Sequence, residues 1–291
     1  MNLEALVDAA ISESPDLAGL RPVIEKELLH YDILCALDRA GLLDQLTFQG
    51  GTSLRLCHGA PRFSEDLDFT GGQAFDHGDV EGMARVIEAF ITRHYGLDVR
   101  VKSPTSVQNA QRTDSVTVSR WQVVVTTAPA RPDLPRQRVR IEIANVPAYS
   151  STLRPLRRNY TALPDGYEDI LVPVETLSEI LCDKLVSSVA SKVTRYRDLW
   201  DLPWLQQQGA QINLEWLEGK INDYRVADYV DALEQSRVLL PERVHSPAFG
   251  EQMARFLPPA SIGRTMARRG FLDYIVSANR ELLDEVRAGL S

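Results

Sequence analysis

Apolar positions recur at three- and four-residue steps between Arg21 and Ala40, through Val23, Ile24, Leu28, Tyr31, Ile33, Leu34 and Leu37, and Gly41 ends the run. That period belongs to an amphipathic helix with one buried stripe. A short apolar run at 46–48 reads as a strand stopping at Gly50-Gly51, and Thr52 is placed to cap a helix through Ser53, Leu54, Arg55 and Leu56. The period becomes two at Asp66-Leu67-Asp68-Phe69, as in a half-buried strand. Asp79 to Tyr95 predicts a second helix with Val80, Met83, Ala84, Ile87 and Ile91 inward, and LDVRVK after it alternates as a strand. Ser115 to Thr127 and Arg138 to Val146 alternate with Val and Ile around a Pro- and Arg-rich turn at 128–137, which predicts a long antiparallel pair. From Val174 onward the pattern is helical, through ETLSEILCDKLVSSVASK to the run Asp273–Arg287, with Pro203, Pro241, Pro258 and Pro259 as expected breaks. The expected fold is α+β: an N-terminal lobe, 1–170, with a mixed or antiparallel sheet flanked by helices, then a C-terminal helical lobe, 171–291.

Composition agrees with such a fold. Of 291 residues, 44% are hydrophobic and 25% charged, an ordinary globular balance with enough apolar surface for two lobes. No stretch approaches the roughly 18 apolar residues of a membrane span, and the first residues, MNLEALVDAAISESPDL, are acidic where a signal peptide is basic, so a cytoplasmic protein without membrane contact is expected. Cys35, Cys57 and Cys182 lack any C-x-x-C spacing and read as buried apolar residues. The net charge of −8 argues against general nucleic-acid affinity, which rests on lysine and arginine neutralising phosphates, but leaves room for a local basic groove. Arginines cluster at Arg131, Arg136, Arg138 and Arg140, at Arg154, Arg157 and Arg158, and at Arg264, Arg268 and Arg269; solvated surface charge is the competing reading of each cluster.

Candidate chemistry concentrates in FQGGTSLRLCHGAPRFSEDLDF, 48–69. A Gly-Gly turn and a D-x-D pair are each common by themselves; together they describe a device. Residues two apart on a strand face the same way, so Asp66 and Asp68 present their carboxylates to one side while Leu67 and Phe69 enter the core. Two carboxylates there call for a divalent cation, and Mg2+ commonly takes one or two carboxylates together with substrate phosphates. Gly50 and Gly51 let backbone N–H groups approach a polyphosphate, and the following helix adds its positive end. Thr52 offers a hydroxyl donor. Glu142 in RVRIEIANV is the best third carboxylate, because Ile141 and Ile143 must point inward; an exposed strand glutamate is the alternative. Arg55 and Arg62 flank the turn, and Arg55 is expected to pair with a nearby carboxylate such as Glu65. No Walker loop, H-E-x-x-H or G-x-S-x-G is present.

These residues give the chain a plain resemblance to the AbiEii-type toxin family of nucleotidyltransferases, within the DNA polymerase beta superfamily. The resemblance is carried by Gly50-Gly51-Thr52, by Ser64-Glu65-Asp66-Leu67-Asp68-Phe69, by Glu142, and by ETLSEILCDKLVSSVASKVTRYRDLWDL at 175–202. It implies metal binding by Asp66, Asp68 and Glu142, and nucleotide contact by Gly50, Gly51, Thr52 and Ser64. The family's helical lysine and R-D-x-x-D-L segment correspond to Lys184 and Arg197-Asp198-Leu199-Trp200-Asp201-Leu202. Lys184 is then expected at a phosphate, with Asp198 and Asp201 contacting nucleotide or orienting Lys184; a buried ion-pair network locking the lobes together is the other reading. The resemblance also implies an NTP substrate, the 3′ end of tRNA as acceptor, growth inhibition, a cognate antitoxin, and phosphorylation of Ser64 as a silencing device. A protein or small-molecule acceptor, or a non-catalytic nucleotide-binding module acting through a partner, are the competing functions.

Overall fold

A computed structural model describes residues 2–104, 116–131 and 133–290. The expected strand start at Ser115 lies outside the described residues. The chain divides into two compact units, Met1–Val174 and Glu175–Ser291.

The first unit is built on a mixed sheet whose seven strands run in the order β3-β4-β5-β2-β1-β7-β6 among the described residues. They are β1 (Thr47–Gln49), β2 (Leu67–Thr70), β3 (Val99–Lys102), β4 (Val118–Val125), β5 (Gln137–Ala144), β6 (Ser151–Pro155) and β7 (Leu171–Glu175). The long antiparallel pair expected from the sequence is β4 with β5, in register from Val118↔Ala144 to Val125↔Gln137. Next to it β2 runs parallel to β5, with Leu67↔Ile141 and Asp68↔Glu142, and β1 runs antiparallel to β2, with Gln49↔Asp68. Alternation sends Leu67, Phe69, Trp121, Val123, Ile141 and Ile143 into the core, where Phe48 stacks on Phe69 at 4.9 Å.

Helix α1 (Leu3–Glu13) is capped by Asn2, whose side chain accepts from Ala5 N at 2.7 Å. Helix α2 (Arg21–Arg39) carries Pro22 in its first turn and buries Ile24, Leu28, Tyr31, Ile33, Leu34 and Leu37; Val23, expected inward, is only half-buried. The helix expected from Asp79 begins instead at Met83, as α4 (Met83–Tyr95). Asp76 and Asp79 close a capping box around the 3₁₀ turn His77–Val80, and Gly82, at φ +88°, separates that turn from the helix.

The second unit is helical: α5 (Leu177–Ala190), α6 (Tyr196–Gln207), α7 (Leu214–Asp223), α8 (Tyr229–His245), α9 (Pro247–Ala254), α10 (Pro259–Arg264) and α11 (Phe271–Gly289). Thr176 caps α5 by accepting from Glu179 N. Pro203 and Pro241 do not break helices; they lie inside α6 and α8. Each forgoes one backbone hydrogen bond, and the buried neighbours Leu202 and Leu205, or Leu240 and Val244, hold the helix in place. Asn279, fully buried on α11, donates to the carbonyls of Leu199 and Ile275 at 2.8 Å, fastening α11 to α6. All three cysteines are buried and free, and no described helix is long and apolar enough to cross a membrane.

Candidate active site

Strand β1 ends at Gln49 and the chain turns at once into a helical stretch, α3 (Gly50–Ser53), which continues as a π-helical turn to His58. The helix starts two residues before Thr52, so Thr52 is not its cap. Its buried hydroxyl donates instead to the carbonyl of Asp66, tying the bend to the segment that enters β2. Gly50 sits at φ +76°, where a side chain is strained, and a Cβ there would meet Asp68 Oδ2 at 2.8 Å. A Cβ on Gly51 would meet Arg62 Nη2 at 2.7 Å and Ser64 Oγ at 2.9 Å. The two glycines therefore let the Asp68 carboxylate, the Ser64 hydroxyl and the Arg62 guanidinium close on one bend. Ser64 is 7% exposed and Arg62 3%, with Arg62 Nη1 donating to the Phe63 carbonyl at 2.7 Å.

The peptide leading into β2 is fixed from behind. His30 Nε2 donates to the Glu65 carbonyl at 3.0 Å, and Lys26 pairs with the Glu65 carboxylate at 3.3 Å. Burial pushes the His30 imidazole down to about 4, with the Glu65 bond opposing, so it stays neutral near pH 7. Arg55 does not pair with Glu65. It forms a two-point ion pair with buried Glu27, at 2.9 and 3.1 Å, and lies over the Phe63 ring at 4.4 Å. Glu27 wins because α2 presents it on the side where Arg55 emerges.

Cross-strand register sets Gln49, Asp68, Glu142 and Arg120 in one lateral row across β1, β2, β5 and β4. Residues level with one another on neighbouring strands share a face, so Asp68 and Glu142 stand side by side. Glu142 accepts from Arg120 Nε at 3.0 Å. Asp66 takes a two-point bond from Arg140, Nε to Oδ1 at 3.2 Å and Nη2 to Oδ2 at 2.7 Å. Both arginines are well exposed, at 63% and 56%, whereas Asp66 and Glu142 are 19% and 27% exposed. Exposed arginines thus hold two of the three carboxylates, and among the described residues Asp66, Asp68 and Glu142 do not form a group whose oxygens all lie within 4.8 Å of one another. Hard oxygen donors on one strand face, next to a bend that tolerates close approach, are nevertheless a donor set that suits a magnesium ion.

In the helical unit, Lys184 Nζ lies 2.8 Å from both Asp198 and Asp201, and Arg195 and Ser187 also bind Asp198, at 2.6 and 2.8 Å. Burial would raise the Asp198 carboxyl, but Lys184 and Arg195 outweigh it and hold the group far below the usual range. These three predicted residues thus form a buried ion-pair cluster on α5 and α6. A second cluster was missed: Glu175, Glu179 and Asp183 bring carboxylate oxygens within 4.8 Å of one another. Lys220 of α7 fills that space, with its ammonium 3.5, 2.9 and 2.8 Å from the three in turn. Burial, then the Asp183 charge, pushes the Glu175 carboxyl well up. The four-residue steps of Glu175, Glu179 and Asp183 were visible in the sequence; their lysine, far along the chain, was not. Arg120 and Arg140 were also missed as partners, although Arg140 and Glu142 share a face by simple alternation.

Carboxylates in a row beside a glycine bend, on a mixed sheet followed by helices, make up the layout of a nucleotidyltransferase. The chain belongs to the AbiEii nucleotidyl transferase toxin family of type IV toxin–antitoxin systems, whose family model matches residues 32–273. Among solved structures, it is similar to the nucleotidyltransferase toxin MenT4 of Mycobacterium tuberculosis H37Rv, with a TM-score of 0.58 and 18% identity over 99% of this chain and 98% of that one. It is also similar to JHP933 of Helicobacter pylori, with a TM-score of 0.51 and 18% identity over 92% and 93% of the two chains. At that identity the likeness is one of fold. A search of curated protein sequences finds no significant match.

Proposed function

We propose that this protein is a cytoplasmic, Mg2+-dependent enzyme that moves a nucleoside monophosphate from an NTP to the 3′ end of tRNA, and so stops translation and growth. The observation that carries the reading is the row formed by Asp68 and Glu142 beside the Gly50-Gly51 bend. In the reaction a terminal 3′ oxygen forms a bond to the α-phosphorus. The bond from that phosphorus to the bridging oxygen breaks, pyrophosphate leaves, and the hydroxyl proton passes to a carboxylate of the set. Asp66, Asp68 and Glu142 hold the metal, which when bound supplies charge stabilisation to the oxygens of the displacement. Gly50 and Gly51 present backbone N–H groups to the polyphosphate, with Arg62 and Ser64 at the same bend, while Thr52 acts by tying down Asp66.

Lys184, Asp198 and Asp201 take the nucleotide-contacting roles that family resemblance gives them. A cognate antitoxin belongs to the same reading: a phosphate on Ser64 would set close to two negative charges against Gly51, where substrate phosphate belongs. The test is transfer of label from each NTP to total tRNA or to total protein. We expect label in tRNA, and a loss of about 10³-fold or more in Asp66→Ala and Asp68→Ala, the several kcal/mol that metal charge stabilisation is worth. Label in the protein fraction would overturn the acceptor. Transfer or growth inhibition surviving in both variants would overturn the site.

A further inference from the structure

We propose that the outer face of β3, β4 and β5 is the groove along which the acceptor RNA backbone lies on its way to the carboxylates. This rests on the reading above and names the surface it leaves open. Register on this face places Arg100 opposite Val124 and Val124 opposite Arg138, and in the next row Lys102 opposite Gln122 and Gln122 opposite Arg140. The central strand thus contributes a neutral floor, Gln122 and Val124, between cationic rails on β3 and β5. Neighbouring strands are 4.7–4.9 Å apart, so the rails stand about 10 Å from one another. Arg136 extends the β5 rail, and Arg100, Lys102, Gln122, Val124, Arg136 and Arg138, with Asp98, line a cavity of about 390 Å³.

The groove has a direction. Strand β5 carries Arg138, Arg140 and Glu142 on one face, and about 13 Å of strand separates the first from the last. At that end Arg120 and Arg140 already hold Glu142 and Asp66. The glycine bend lies beyond the opposite flank of Asp68, just past the end of β1, so nucleotide and acceptor reach the carboxylates from different sides. Among the described residues no carboxylate is paired with Arg100, Lys102, Arg136 or Arg138. Elsewhere, Arg131 pairs with Asp133, Arg158 with Asp165 and Glu168, and Arg157 packs against Gly59, while Arg264, Arg268 and Arg269 are exposed but lie outside the sheet, where no strand register ranges them in rows. In a chain of net charge −8, exposed cations gathered in two rails over a neutral floor fit a polyanion, and a phosphodiester backbone supplies charge at a regular pitch.

The test is binding of fluorescein-labelled bulk tRNA to the full chain across a salt series, comparing wild type with the double variant Arg100→Gln/Arg138→Gln. Both side chains are exposed, so folding should be retained, which a matching melting temperature checks. We expect roughly tenfold weaker tRNA binding and a salt slope smaller by about 1.5–2, for two lost phosphate contacts. Affinity for a non-hydrolysable NTP should stay unchanged. An unaltered tRNA affinity and slope would falsify the groove, as would a loss that appears in NTP affinity instead. Polyglutamate competing as well as tRNA would reassign the face to an acidic protein. Asp66→Ala/Asp68→Ala should still bind tRNA, so a failure of the catalytic reading shows in label transfer and a failure of the groove in this binding series.

Discussion

The sheet unit and the helical unit both set carboxylates against cations, and they do so under opposite conditions. On the sheet face, Asp66 and Glu142 are held by arginines that are themselves more than half exposed. Such pairs contribute about 0–1 kcal/mol each, because water competes for both partners. In the helical unit, Lys184 and Lys220 are 7% and 1% exposed and are surrounded by carboxylates of which all but Asp183, at 16%, are no more than 5% exposed. There the desolvation cost has already been met, and removing one charge strands the others. The sheet arrangement can be undone by an incoming ion or phosphate at small cost, while the helical one is built to persist. A site that must admit a metal ion needs the former property; groups that must stay fixed, whether as scaffold at Lys220 or as preset contacts at Lys184, need the latter.

The largest effect should come from breaking the persistent kind. Lys220→Met leaves Glu175, Glu179 and Asp183 facing one another without a cation, and should cost about 3–5 kcal/mol of unfolding free energy. Urea unfolding followed by circular dichroism reads this directly. Adding Glu179→Gln to the same chain should restore part of the loss, since it removes one of the stranded charges. A Lys220→Met protein as stable as wild type would show that the cluster is solvated and that the contrast between the units is not one of burial.

Asp32 sharpens the comparison, because burial favours a proton on its carboxyl below about pH 7. Its oxygens accept from Tyr167 at 2.6 Å and Tyr95 at 2.9 Å. Burial pushes the group up to about 7, with those two hydrogen bonds opposing. The unfolded chain releases this proton near pH 4 and the folded chain near pH 7. Between those values the folded state binds more protons, so this group's contribution to stability falls as pH rises and levels off above 7. Asp32→Asn removes the effect. The variant's stability relative to wild type should therefore climb from pH 4 to 7, by at most about 1.4 kcal/mol per pH unit, and then stay flat. His30, buried neutral, has the opposite slope in both proteins and cancels in the difference. Denaturant midpoints at four pH values suffice, and a difference that does not change with pH would mean Asp32 is charged in the fold.

Much of the sheet was legible beforehand because alternation is a local property. Leu67, Phe69, Ile141 and Ile143 had to turn inward, and that alone set Asp68 and Glu142 on the other face. Boundaries failed where a side chain or glycine overrode periodicity: the capping box at Asp76 and Asp79 stopped α4 from starting early, and Pro203 and Pro241 were absorbed by packed helices. Partners failed more often than elements. Arg55 chose Glu27 over the nearer Glu65, and Lys220 found carboxylates some forty residues away, because ion pairing follows tertiary proximity that no local pattern encodes. Arg140 was the exception that alternation and register together could have found, lying two residues from Glu142 and beside the strand entry at Asp66.

The smallest effect tests the exposed side of the comparison, at Arg140. Its two-point bond to Asp66 is mostly solvent-facing, so Arg140→Ala should change stability by no more than about 1 kcal/mol. Metal affinity should move the other way. A divalent cation reaching Asp66 has to displace the guanidinium, and a variant without it binds the ion with less competition. Titration with Mn2+, followed by its paramagnetic effect on water relaxation, should show affinity rising a few-fold in Arg140→Ala and falling sharply in Asp66→Ala. If Arg140→Ala instead weakened Mn2+ binding, the arginine would be orienting the carboxylate for the ion, and the exposed pairs of the sheet would be fixed supports like those of the helical unit.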